Sequence, residues 1–261
     1  MNQKLDWPLL KEFLDEKADL YNRTQFIELD PISIPRRYSK PEDIEIAGFF
    51  AATIAWGVRK SIIANGTKLM ALMDDSPHSF VMNHTAKDLA CFEKFVHRTF
   101  NGNDAVFFVQ SLQNIYRNHG GLKSLFETNA SAEILNLKAT LCQFRKTFFE
   151  VPHQTRSRKH VSNPDDNSAS KRLNMYLRWM VRKDNRGVDF GLWDISPSLL
   201  SCPLDVHSGR VARQLGLLTR TQNDWKAVEE LDTVLRKLNP ADPVKYDFAL
   251  FGLGAEPDWN F

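Results

Sequence analysis

The chain has 261 residues, a formal net charge of +2, and 43% hydrophobic and 11% aromatic residues, enough to build a sizeable core and to exclude global disorder. Its sequence pI of about 8.4 is far from that of a dedicated basic arm, so any contact with a polyanion must be local. Cys91, Cys142 and Cys202 lie far apart and form no CxxC pair, which argues against a cysteine-built zinc or iron–sulfur site and suits a reducing cytoplasm; no metal or other cofactor is expected.

The first stretch, MNQKLDWPLLKEFLDEK, has acids throughout and no apolar h-region, so no signal peptide is expected. Trp7, Leu10, Leu14 and Leu20 recur at helical spacing over 7–21, and 22–40, with Pro31 and Pro35, reads as an irregular connection. Residues 40–57 predict a helix with Pro41 in its first turn and Glu42 and Asp43 at its positive end. It is apolar nearly all round, so it should be central, and its run GFFAATIAWGV (48–58) is too short to span a bilayer. A helix over 59–74 is broken by DDSPHS. Another, over 101–121, opens around Asn103 and closes at Gly120 and Gly121. Residues 131–150 form a further helix, 151–170 are polar and irregular, and helices follow at about 170–183, 207–217, 223–238 and 241–251. Alternating β patterns are scarce. The expectation is an all-α protein of roughly ten helices, one helical unit over 1–261 with lobes at 41–150 and at 151–261 plus 1–40.

Charge is concentrated in one place. Residues 151–186 hold nine Lys or Arg against three Asp, a net +6 that leaves −4 for the rest of the chain. Within it, Leu173, Tyr176, Leu177 and Met180 fall on one helical side, and Lys171, Arg178 and Arg182 on the other. Such a stripe can follow phosphates, although any amphipathic helix sets its charges opposite its core. Ser168 or Ser170 is placed to cap this helix, which puts Lys171 in its first turn. That is an unfavourable place for an ammonium, by about 0.3–1 kcal/mol when exposed, and a better one for an uncharged, nucleophilic amine.

A second helix start carries a carboxylate. In SCPLDVHSGRVARQLGL (201–217), Asp205 is a natural N-cap for a helix beginning near His207 that also bears Arg210 and Arg213. A capping carboxylate is rigidly aimed, so cap and catalytic acid are compatible roles. Histidine beside it does not make a metal site, since no HExxH-like spacing is present.

PLDVHSGRVARQLGL (203–217) resembles the segment of helix-hairpin-helix DNA glycosylases in which Pro-x-Asp precedes an arginine-bearing helix ending in Leu-Gly-Leu. DPVKYDFALFGLG (242–254) resembles their closing helix, and SKRLNMYLRWM (170–180) the helix that presents their catalytic lysine. Lys171 and Asp205 are 34 residues apart, which looks closest to the archaeal 8-oxoguanine glycosylase branch. Over the whole chain, DPISIPRRYSKPEDIEIAGFFAATIAWG and RWMVRKDNRGVDFGLW are similar to a bacterial protein family that carries no established activity. One departure stands out: the Leu-Pro-Gly-x-Gly hairpin is replaced by NPDDNSASK, without the glycines that let backbone amides approach a phosphate.

The resemblance implies a two-lobed, DNA-glycosylase-like helical architecture with a divergent hairpin. It implies duplex DNA as partner, with a damaged nucleotide, such as an oxidised purine, flipped into a pocket. Lys171 would attack C1′ and form a Schiff base, and Asp205 would stabilise the oxocarbenium charge and assist proton transfer. Ser168, Ser170, Arg172, Arg178, Arg182 and Arg210 would contact the nucleic acid, and Trp56, Arg59 and Trp193 would line the base pocket. The alternative is a non-catalytic nucleic-acid-binding protein on the same scaffold.

Overall fold

Helical periodicity is realised in eleven α-helices among residues 6–130 and 136–256, which this computed structural model describes. They are α1 (Trp7–Tyr21), α2 (Pro41–Thr53), α3 (Arg59–Ala71), α4 (Pro77–Asn83), α5 (Gly102–Asn118), α6 (Gly121–Thr128), α7 (Lys138–Phe148), α8 (Lys171–Val181), α9 (Val206–Gln214), α10 (Trp225–Leu238) and α11 (Tyr246–Ala255). The strands among the described residues, β1 (Val96–His97) and β2 (Phe100–Asn101), pair as an antiparallel hairpin.

Two helices were not expected. DDSPHS breaks α3 but also starts α4, because Pro77 takes the first helical position, where its missing N–H costs nothing. Gly120, with φ 75°, ends α5 and turns the chain into α6. The helix expected over 131–150 begins at Lys138, and 131–135 lie outside the described residues. That expected from 241 is preceded by a 3-10 turn at Pro243–Lys245 and runs from Tyr246 to Ala255.

Helix α2 is central, as its all-round apolarity requires. Every residue from Ile44 to Thr53 is buried, and it packs on α3, α4, α6 and α8. Phe49 meets Phe108, Phe144, Phe148 and Tyr176 at ring-centroid distances of 5.3–5.6 Å. Gly48 sets the approach of α8: a Cβ there would lie 3.1 Å from Met180 Cε and 3.3 Å from Tyr176 Cε2. The one acid in this stretch, Glu45, is satisfied inside the core by Tyr116 Oη at 2.6 Å and Trp193 Nε1 at 2.8 Å. At the other end of the molecule α1 packs on α11 and α11 on α9, so the start of the chain closes against its last helices.

Helix α10 anchors both approaches to the site. Its N-cap Asp224 accepts from Asn167 Nδ2 at 2.9 Å, and Trp225 N donates to the Asn167 carbonyl, which ties down the turn before α8. About two turns on, Asp232 Oδ1 accepts from Cys202 N at 2.9 Å, and Arg236 donates to the Ser198 and Leu200 carbonyls. These bonds fix the extended segment that delivers Asp205. No helix among the described residues is long and apolar enough to cross a membrane.

Candidate active site

Two helix starts meet. Lys171 is the first residue of α8 and Asp205 the N-cap of α9. Lys171 Nζ lies 3.6 Å from Asp205 Oδ2, with the two side chains 26% and 22% exposed. Both side chains are thus partly exposed to solvent.

The two oxygens of Asp205 divide the work. Oδ1 accepts from His207 N at 2.9 Å, Ser208 N at 3.0 Å and Ser208 Oγ at 3.2 Å, which satisfies orphan amides of α9. Ser208 Oγ in turn accepts from Asp205 N, completing a capping box. Oδ2 is turned to the lysine. Capping therefore orients the carboxylate without consuming the oxygen that faces the amine. Asn223 Nδ2 donates to the Asp205 carbonyl at 2.8 Å and steadies the same turn.

The turn before α8 has no glycine yet keeps two left-handed residues, Asn167 at φ 59° and Ser170 at φ 48°. Asparagine tolerates this region; at Ser170 the geometry costs about 1–2 kcal/mol. Its amides are spent locally: Asp165 N on Asn163 Oδ1, Asp166 N and Ser168 N on the Asn163 carbonyl, Asn167 N on the Pro164 carbonyl, Ser170 N on Ser168 Oγ. Ser168 also bridges to Asp224, and buried Ser170 donates from its hydroxyl to the Ser168 carbonyl. Buried Ser170, its hydroxyl engaged, is not positioned as a phosphate ligand.

Arg178 and Arg182 are not on a surface stripe. They are 8% and 4% exposed, because the face of α8 opposite its apolar side meets carboxylates rather than water. Arg178 pairs with Asp189 and Asp247, and Arg182 with Asp184, Asp189 and Asp242. Phe248 lies under both guanidinium groups, at 4.3 and 5.3 Å. Two of the nine positive charges counted in 151–186 are therefore neutralised inside the protein. Arg156, too, is committed, to buried Asp104. Arg210 donates to Gln214 Oε1 and to the Gly254 carbonyl, each at 3.3 Å.

Trp193 is likewise in the core, 3% exposed, stacked on Phe126 and bonded to Glu45; it lines no cleft. Trp56 lies by contrast on the loop that follows α2, beside the first turn of α8, and Arg59 is the first residue of α3. Arg172 donates to the Thr53 carbonyl and sets its guanidinium 4.8 Å from the half-buried Trp56 ring. His160 stacks at 6.0 Å from the same ring and His97 meets it edge-on at 5.2 Å. Burial lowers the Arg172 pKa to about 10, which leaves the group charged at neutral pH. Arg59 is exposed, with its guanidinium 5.8 Å from the Phe251 ring of α11.

Three acids behind the site were missed in the sequence: Asp189, Asp232 and Asp247, all buried. Each is the lone acid of an apolar run (VDFGLW, LDTVL, YDFALF), and that isolation is the signal that was available. Asp247 lies close enough to feel the charges of both Lys171 and Asp205. Burial raises Asp232 from 3.8 to about 6, against the pull of Arg236. With the folded value the higher, its favourable contribution is complete below pH 3.8 and is lost as pH rises through about 6. In Asp232→Asn, which keeps an oxygen for Cys202 N, that dependence should vanish. The stability of wild type relative to this variant should fall by up to about 3 kcal/mol between pH 4 and 7 in urea titrations.

The described residues thus define an all-α protein in which a lysine and an aspartate, each at a helix start, share one half-open site. A family model described as "Protein of unknown function (DUF2400)" matches residues 30–256, and the chain belongs to that family. No curated protein and no solved structure matches it.

Proposed function

We propose that this protein is a DNA glycosylase and abasic-site lyase acting through Lys171 and Asp205, on a helix-hairpin-helix glycosylase-like scaffold with a divergent hairpin. The observation that carries the reading is the 3.6 Å contact of Lys171 Nζ with the uncapped oxygen of Asp205. A damaged purine nucleotide is flipped into the half-open site. Asp205 accepts the proton of the lysine ammonium and passes it to the departing base, returning to its ionised form, and the freed amine attacks C1′ as the N-glycosidic bond breaks, the base leaving with the bonding electrons and that proton. Charge developing on the sugar faces the carboxylate. The amine at C1′ collapses to an imine as the sugar ring opens, and removal of a C2′ proton expels the 3′ phosphate by β-elimination. The three unpaired cysteines suit the cytoplasm as its place of work.

Borohydride reduction tests this on duplex DNA carrying 8-oxoguanine or an abasic site. A covalent protein–DNA adduct is expected. Folded protein that binds these duplexes and gives no adduct on any of them leaves the non-catalytic binding role in place of the enzyme.

A further inference from the structure

Arginines elsewhere in this chain are mostly spent on acceptors. Arg36 donates to the Gly187 and Val188 carbonyls, Arg213 to Asn223 and the Arg220 carbonyl, and Arg220 to Asp224. Around the Trp56 loop the pattern changes. Among the described residues Arg59 and Arg98 have no hydrogen-bond acceptor, and Arg172 has only the Thr53 carbonyl. These three groups lie on surfaces instead. Arg172 covers Trp56 and Arg59 leans on Phe251.

Arg98, at the turn of the β1–β2 hairpin, is exposed and has φ 54°. Its side chain crosses to the loop after α2 and occupies the space above Gly57, whose φ is 105°: a Cβ on Gly57 would lie 2.9 Å from Arg98 Nη1. The backbone angle favours glycine at this position, and the missing side chain leaves room for the arginine. No acid occurs between Thr53 and Met73, while Arg59, Lys60 and Lys68 do. A guanidinium resting on a ring or on backbone is pre-organised, and it keeps its donor edge free for an oxyanion.

We infer that Arg98, Arg59 and Arg172 form a clamp for the phosphodiester backbone of duplex DNA, running from Lys171 across the Trp56 loop to the β1–β2 turn. This rests on the reading of Lys171 and Asp205 as a site that works on DNA. The clamp takes over what the turn before α8 cannot do with its own amides engaged, and what Arg178 and Arg182 cannot do from the interior. Phosphate contacts hold register and orientation without reading sequence.

Arg98→Gln and Arg59→Gln test it; both side chains are exposed, so folding should be kept, as thermal melting will show. The probe is duplex DNA with an abasic-site analogue, with affinity measured by fluorescence anisotropy across about 50–200 mM salt. Each variant should bind about eightfold more weakly at 0.1 M salt and reduce the slope of log affinity against log salt by about 0.9, with the double variant showing both effects twice. Unchanged affinity and slope in both variants, or no salt-dependent binding by wild type, overturns the clamp. Absence of any adduct, with the slope still dependent on Arg98, upholds the clamp and removes the catalytic reading.

Discussion

Lys171→Gln should give no borohydride adduct, and Asp205→Asn should slow adduct formation about 10²–10⁴-fold while leaving the fold intact. The two variants fail for different reasons. Glutamine has no amine to form an imine. Asparagine keeps the oxygen that caps α9, since Asn and Asp are equivalent caps, so the stability of Asp205→Asn should stay within about 0.5 kcal/mol of wild type. What it removes is the negative charge at the 3.6 Å contact with Lys171 Nζ, and with it the acceptor for the lysine proton. Asp205→Ala should lose both functions and be destabilised by about 0.5–2 kcal/mol. Rapid adduct formation by Asp205→Asn would reduce Asp205 to a cap.

Arg178→Met should destabilise the protein by about 3–5 kcal/mol without touching the reacting groups. Arg178 lies between Asp189 and Asp247, all three buried, and its loss leaves two carboxylates facing one another across a dry space with only Arg182 near Asp189. Removing one member of a buried ionic network costs more than the network adds to stability, because the stranded charges remain desolvated. The same change should loosen the site, because Asp247, in the first turn of α11, feels the charges of Lys171 and Asp205. Urea denaturation measures the effect. A loss under about 1 kcal/mol would show that water reaches the stranded carboxylates.

Helix α8 shows where sequence reading succeeded and where it stopped. Its apolar side and the position of Lys171 in its first turn follow from periodicity, although neither Ser168 nor Ser170 caps the helix with its side chain. The environment of its opposite side does not. A charged stripe reads as solvent-facing when only the helix itself is considered, and this one is enclosed by Asp184, Asp189, Asp242 and Asp247, which come from segments 2 to 69 residues away. Asp205 was legible because a cap is a local event. Its division of labour between Oδ1 and Oδ2 was not, since that depends on where α8 ends up relative to α9. Trp193 illustrates the same limit: a tryptophan in an apolar run gives no sign of whether Glu45 or a cleft awaits its N–H.

The turn before α8 and Arg98 mark the other boundary. Glycine loss in NPDDNSASK is visible at once. Its consequence is not, because the left-handed angles survive at Asn167 and Ser170 while the amides are turned inward. Arg98 had no signal at all. It reaches the loop after α2 only because a two-residue hairpin turn and Gly57 come together across 41 residues of chain.

The central claim is that Lys171 is the nucleophile. After borohydride reduction on duplex DNA carrying an abasic site, the adduct is digested with nuclease and protease, and the modified peptide is sequenced by mass spectrometry. The account predicts a reduced deoxyribose remnant on Nζ of Lys171. A remnant on another lysine or on the terminal amine, with Lys171 unmodified, would contradict it.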